Sequence, residues 1–242
     1  MSKFLSRHLS LADFEISARK LLPKPLYAYV QGGVEDNLTL HANRQVFDDY
    51  FLKPNVLVDV STRDISVDLF GHRYSAPVGI APMGIAALTG YRGDLSLAEA
   101  AVAANVPFVM SGSSLIRLEE VVDAARCQQI GIDGIVVSNH GGRQIDGSVP
   151  PLYVLPEIVE ASGTMVVMAD SGIRRGTDVI KSIAFGAKAT FIGRPFNYAN
   201  AVAGKAGVVH AIDLIVAEVR RNMGMLGLIG LSDINQDLLV RR

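Results

Sequence analysis

From Pro77 onward, short apolar runs alternate with segments that carry an apolar stripe at helical spacing. The runs are PVGIAP from Pro77, PFVMS from Pro107, GIVVSN from Gly134, TMVVMAD from Thr164 and ATFIGR from Ala189. Each is short and nearly continuous in apolar residues, the pattern of a strand covered on both faces. Between them, GDLSLAEAAVAANV places Leu95, Leu97, Ala98, Ala101 and Val102 on one helical stripe. LEEVVDAARCQQIG, YVLPEIVEASG (irregular about Pro156) and GTDVIKSIAFGA follow as further helices, and AGVVHAIDLIVAEVRRNMGML closes the chain as a long one. Strand–helix alternation of this kind predicts an α/β fold with a parallel sheet covered by helices. Five such βα units are recognisable.

The first third is less regular. Ser10 is placed to cap a helix beginning near Leu11, with Asp13 and Glu15 in the first turn, where the macrodipole favours acids. Pro23 and Pro25 break that helix. LYAYVQGGVEDNLTL begins a second short helix that stops at Gly32-Gly33, and ISVDLFGHRYSAP alternates about Gly71 as a hairpin.

The totals narrow the choice. The chain has 242 residues, 49% of them hydrophobic, with no repeat and no evident linker. A single domain over 1–242 is expected, with 1–76 as an N-terminal helical and hairpin segment and 77–242 as the βα region. A complete eight-stranded α/β barrel takes about 250 residues. The net charge of −1 offers no basic footprint for nucleic acid. Cys127 is the single cysteine, so no intrachain disulfide forms. No signal peptide and no membrane-spanning run is visible, and no metal site is expected. A cytoplasmic location fits these features.

Ligands of parallel α/β folds collect at the carboxyl ends of the strands. Here the five runs end in Ala81-Pro82-Met83-Gly84, Ser111-Gly112-Ser113, Ser138-Asn139-His140-Gly141-Gly142-Arg143, Asp170-Ser171-Gly172-Ile173-Arg174-Arg175-Gly176 and Gly193-Arg194-Pro195. The last two resemble an anion site. Gly172 and Gly193 let backbone approach a ligand, the helix starting near Thr177 offers N–H groups, and Arg174 and Arg194 suit phosphate oxygens. The bland alternative is a set of rim salt bridges between Asp170 and the arginines. His140 and Arg143 suit a different ligand, a small acid. An imidazole takes a proton near neutral pH, and a guanidinium grips a carboxylate with two bonds. Gly141 and Gly142 leave room between them.

SNHGGRQIDG closely resembles the signature of the FMN-dependent α-hydroxy acid dehydrogenases and oxidases, the family of L-lactate dehydrogenase, (S)-mandelate dehydrogenase and glycolate oxidase. LPKPLYAYVQGGVEDNLTLHANRQVFDDYFLKPNVLVDVSTRD, APMG, PFVMS, ADSGIRRGTDVIKSIAFGA and IGRP follow the family's order. The resemblance implies a TIM-barrel-derived fold and FMN as cofactor. His140 matches the catalytic base, Arg143 the arginine for the substrate carboxylate, and Tyr29 a tyrosine that hydrogen-bonds the substrate. Pro82, Met83 and Gly84 match the segment against the flavin, with Met83 where many members have Thr. Ser111 and Ser138 match flavin-contacting serines. Asp170, Ser171, Gly172, Ile173 and Arg174, with Gly193 and Arg194, match the phosphate and ribitol region.

The resemblance also implies a gap. The family has three further strands between PFVMS and GIVVSN, whereas here the helices SLIRLEEVV and DAARCQQIGIDG are fused near Val122 to Ala125. The barrel is therefore incomplete, and five parallel strands do not close the usual one. With the missing units go the family's flavin-binding Gln, a substrate Tyr, the Asp that supports the catalytic His, a second substrate arginine and the Lys beside flavin N1. The implied reaction is oxidation of a lactate- or mandelate-like L-2-hydroxy acid to the 2-oxo acid, with a quinone, cytochrome or oxygen reoxidising the flavin. The alternative is a non-catalytic FMN- or phosphate-binding remnant. A third reading, a barrel enzyme for another phosphorylated ligand, is disfavoured by SNHGGRQ. Three outcomes stay open for the incomplete sheet: another chain completes it, as in a homo-oligomer, the strands rearrange into an open or smaller curved sheet, or the chain is a marginal relic.

Overall fold

The computed structural model describes residues 3–111, 134–162 and 165–242. Packing divides them into two compact units. One holds 3–31, 79–111 and 192–215, and the other holds 32–78, 134–162, 165–191 and 216–242.

In the first unit, α1 (Leu11–Leu21) starts where Ser10 predicts. Asp13 Oδ2 accepts the N–H groups of Leu9 and Ser10, both at 2.9 Å, closing a capping box. Leu11, Phe14 and Ala18 are buried at helical spacing. α2 (Lys24–Gln31) carries Pro25 in its first turn, where the missing N–H has no intrahelical partner to lose, and ends before Gly32.

In the second unit a helix appears that the apolar periodicity does not predict, α3 (Leu38–Asp48). Its buried face is Thr39, Asn43, Val46 and Phe47, half of it polar, which is why hydrophobic spacing does not reveal it. β1 (Tyr50–Leu52) pairs antiparallel with the C-terminal residues Leu239–Arg241. β2 (Val67–Leu69) and β3 (His72–Tyr74) form the expected hairpin, with Phe70 and Gly71 at positive φ, 51° and 77°.

The main sheet has the order β4-β7-β6-β5, from β4 (Val78–Ile80), β5 (Gly134–Val137), β6 (Val166–Ala169) and β7 (Ala189–Ile192). β5 and β6 are parallel, with Val137 opposite Ala169, and so are β6 and β7. β4 and β7 are fully buried along their length, as their continuous apolar sequences require. The expected PFVMS strand is reduced to one parallel bridge between Phe108 and Ile80, fixed by Ile80 N–H to Pro107 O and Val109 N–H to Ile80 O. Among the described residues this segment has a partner on one side only, and the ladder goes no further.

α4 (Gly93–Ala104) buries Leu97, Ala98, Ala100 and Ala101, whereas Val102 of the expected stripe is 82% exposed. α5 (Pro151–Ala161) runs through Pro156 without interruption. α6 (Gly176–Ala184) follows β6, and α7 (Arg194–Leu226) joins two helices, the second beginning beyond Gly204, where the long final helix from Ala206 is expected. A kink at Ala203 and Gly204 divides α7. β8 (Leu239–Arg241) ends the chain. The expected helix LEEVVDAARCQQIG, with Gly112, Ser113 and Cys127, lies outside the described residues. Among the described residues no helix is long and apolar enough to cross a membrane.

Candidate functional site

In the second unit, β5 hands over to the loop that carries His140 and Arg143. His140 sits in the left-handed region at φ 57° with its ring exposed, and its N–H is bonded to Ser138 Oγ at 3.0 Å. An imidazole side chain tolerates that conformation better than a β-branched one. Arg143 Nη1 donates to the Gly32 carbonyl at 2.9 Å. Gly142 adopts φ 73°, and a Cβ there would stand 2.6 Å from the Leu40 nitrogen. Backbone of α3 fills that side of Gly142, so its lack of a side chain serves helix packing rather than room for a substrate.

β6 hands over to the turn 170–175. Ser171 and Gly172 are both left-handed, at φ 69° and 86°. Burial pushes the Asp170 carboxyl above the usual carboxylate range, while bonds from the Ser138 and Ser171 hydroxyls and the nearby His140 oppose the shift. Ser171 Oγ donates to Asp170 Oδ1 at 2.7 Å and accepts the Gly141 N–H at 3.0 Å. That hydroxyl joins the two loops. Sequence reasoning assigns the missing Cβ of Gly172 to ligand approach. The structure places Asn43 O 1.9 Å from where that Cβ would be, so α3 occupies this side as well.

The helix N-terminus expected near Thr177 begins at Gly176, and the N–H groups of its first residue and of the two residues before it are already bonded. Asp178 Oδ2 accepts the N–H groups of Arg174 at 2.9 Å and Arg175 at 3.0 Å, and Glu218 accepts that of Gly176 at 2.8 Å. Two carboxylates therefore stand where the sequence reading places an anionic ligand. The positive charge of this turn lies in side chains, among them Arg174, whose Nη1 donates to the Ile173 carbonyl.

Both loops are tied to one helix, and sequence reasoning missed it. Asp146, at the end of the SNHGGRQIDG segment, accepts the N–H groups of Asp36, Leu38 and Thr39 at the start of α3. These bonds, led by that from Thr39, hold its carboxyl below the usual range. Thr39 Oγ1 donates to Ile145 O, and the side-chain amides of Asn43 and Asn139 bond each other reciprocally at 2.8 and 2.7 Å. The next residue, Arg44, reaches Gly172 and Asp178, and one turn beyond Asn43 the Phe47 carbonyl accepts from the buried Lys181 at 2.6 Å. Residues 39, 43 and 47 share a face at i, i+4, i+8. The available signal was a helix with Asn and Thr at core spacing.

In the first unit, Arg194 Nε donates to Val30 O at 2.9 Å, fixing the first turn of α7 beside the last turn of α2 and its neighbour Tyr29, which is 46% exposed. Gly193 lies near Ala81 and Met83. A Cβ there would meet Ala81 Cβ at 3.7 Å and Met83 Cγ at 3.8 Å, ordinary contact distances. Pro82 is exposed, and Met83, Gly84 and Ser111 are half-buried.

The donor set suits the FMN that the resemblance implies. A dianionic phosphate needs a cation, and within the second unit the guanidinium of Arg174 is of that kind. A polyol needs paired donors and acceptors, met by Asp170 with Ser138 and Ser171. Among the described residues no cluster of His, Cys, Asp or Glu is built to hold a metal ion.

The model of the FMN-dependent dehydrogenase family matches residues 18–125 and 121–241. The two runs meet at 121–125, where the sequence places the fused helices. The chain is 27% identical over 346 residues to a peroxisomal (S)-2-hydroxyacid oxidase of Arabidopsis thaliana, with 95% of each covered. It is 28% identical over 360 residues to an L-lactate oxidase of Nostoc sp., covering 97% of this chain and 99% of the relative. The first match runs over 346 residues against a chain of 242, so the difference, at least 104 aligned positions, carries no residue of this chain. Among solved structures, a mutant of an active chimera of (S)-mandelate dehydrogenase superposes with a TM-score of 0.91 at 25% identity, covering 97% of this chain and 100% of that one. The fold is an incomplete, TIM-barrel-derived βα architecture. By both matched runs and by that superposition, the chain belongs to the FMN-dependent dehydrogenase family, in an internally shortened form.

Proposed function

We propose that this protein binds FMN and oxidises a lactate- or mandelate-like L-2-hydroxy acid to the 2-oxo acid. Beside family membership, one observation carries the reading. The loop bearing His140 and Arg143 is hydrogen-bonded to the turn bearing Asp170–Arg174, through Gly141 N–H and Ser171 Oγ. In this reading Arg143 binds the substrate carboxylate with its planar fork, and His140 takes a proton from the substrate. Asp170 and Ser138 hold the ribityl hydroxyls, and Arg174 the phosphate. Tyr29, Pro82, Met83, Gly84, Ser111, Gly193 and Arg194 of the first unit keep the roles the resemblance gives them. Bound FMN supplies the acceptor for the two electrons leaving the substrate. The external acceptor would be of quinone, cytochrome or oxygen type.

A second reading, a non-catalytic FMN-binding remnant, is favoured by the 104 or more aligned positions that this chain lacks. They include the stretch where the resemblance places a flavin-side lysine, and electrostatic stabilisation is often the largest catalytic contribution. Flavin absorbance of the purified chain separates the two under anaerobic L-lactate or (S)-mandelate. Bleaching that His140→Ala abolishes, with flavin still bound, supports the enzyme. Flavin that never bleaches supports the remnant. Bleaching that survives His140→Ala removes the base assignment.

A further inference from the structure

Arg44 has no role in the proposed reaction, yet it is built into the turn that would receive the phosphate. Its Nη1 donates both to the Gly172 carbonyl, in the middle of that turn, and to Asp178 Oδ2 at 2.6 Å. The same Asp178 oxygen holds the Arg174 and Arg175 N–H groups at the far end of the turn. One guanidinium nitrogen therefore joins the middle of the turn to its far end, in a turn with two successive left-handed residues, Ser171 and Gly172. The guanidinium is steadied over the Phe47 ring, 5.3 Å from its centroid.

The charges make the arrangement more than a brace. Asp178 is buried, its side chain 4% exposed, and it stands beside Arg174. Without Arg44 that carboxylate loses its directly bonded cation, keeping the electrostatic interaction with Lys181, next to an incoming dianion. With Arg44 in place the carboxylate is offset by a bonded cation, so it subtracts less from the positive field that an incoming dianion meets. The N–H groups of Arg174, Arg175 and Gly176 are already bonded within the protein, so little else in the turn is positioned to replace that field.

We infer that Arg44 is the positioning residue that gives this turn its affinity for a phosphate monoester. The inference rests on the proposed FMN-binding reading. It predicts a selective effect, since FMN and riboflavin differ only by the phosphate. The full-length chain, stripped of flavin, is titrated with FMN and with riboflavin by fluorescence, as wild type, Arg44→Met, Arg44→Lys and the double variant Arg44→Met/Asp178→Asn.

In Arg44→Met the Kd for FMN rises by about tenfold or more, while that for riboflavin stays within about twofold. Arg44→Lys recovers most of the loss, because both bonds of Arg44 to the turn come from a single terminal nitrogen that an ammonium can imitate. The double variant recovers part of it, since Asn keeps the acceptor for the Arg174 and Arg175 N–H groups without the charge. If Arg44→Met does not fold, the lysine and double variants still carry the comparison. Equal loss for FMN and riboflavin, or no loss for either, overturns the role of Arg44 and leaves FMN binding intact. A wild-type chain that binds FMN no better than riboflavin overturns the phosphate site itself, and the role of Arg44 with it.

Discussion

Asn43 on α3 and Asn200 on α7 are both buried amides, 1% and 2% exposed, and the fold treats them differently. Asn43 exchanges two hydrogen bonds with Asn139 and so joins α3 to the loop carrying His140. Asn200, in the other unit, has no hydrogen-bond partner for either side-chain amide atom among the described residues, and its nitrogen lies 2.6 Å from where a Cβ on Gly90 would stand. Three residues earlier on the same helix, Asn197 is satisfied by Thr89 at 2.6 Å. Burying an amide costs free energy unless its bonds are remade. The contrast therefore separates a polar residue that organises a site from one that the fold merely tolerates.

Breaking the pair at Asn43 should have the largest effect. Asn43→Leu removes two bonds and leaves the Asn139 amide short of partners, a loss of about 3 kcal/mol in urea-unfolding free energy. A loss within experimental error would show that α3 is not the anchor of this loop. At the other end of the comparison, Asn200→Leu should stabilise the chain by about 1 kcal/mol, because it removes a buried amide without breaking a bond to the rest of the described protein. Destabilisation there would mean that the amide is satisfied after all and that the two asparagines are alike.

The smallest effect concerns the N-terminus of α3. The Asp146 carboxyl is held below its ordinary range by backbone N–H groups, led by that of Thr39. A group whose folded pKa is depressed contributes stability above its unfolded value, about 3.9 for Asp, and that contribution is lost as pH falls through the folded value. The unfolding midpoint should fall less in Asp146→Asn than in wild type between about pH 5 and pH 3. Parallel pH curves would remove Asp146 as a titrating anchor.

How much of this was legible in the sequence depends on the range of the contact. The capping of α1 by Ser10 and Asp13 spans four residues at most, and the 67–74 hairpin is equally local. Such features follow from side chains that recognise their own neighbouring backbone. The buried strands Val78–Ile80 and Ala189–Ile192 were legible for another reason, since a strand covered on both faces leaves an uninterrupted apolar run. The Asn43–Asn139 pair joins residues 96 apart, and Asp146 caps a helix 107 residues upstream of it. Neither partner carries a local mark of the other. The start of α6 misled for a related reason: Glu218, which takes the Gly176 N–H, lies 42 residues along the chain from it.

The sequence alone determined the βα alternation, the order of the loop motifs that places the chain in its family, and the point near 121–125 where the family pattern is cut short. Those properties are carried by residue order and periodicity. Only the tertiary structure decided why Gly142 and Gly172 are glycines and which helix holds the two loops together. Both answers lie in the close approach of α3 to backbone distant in sequence, and such a distance exists only once the chain has folded.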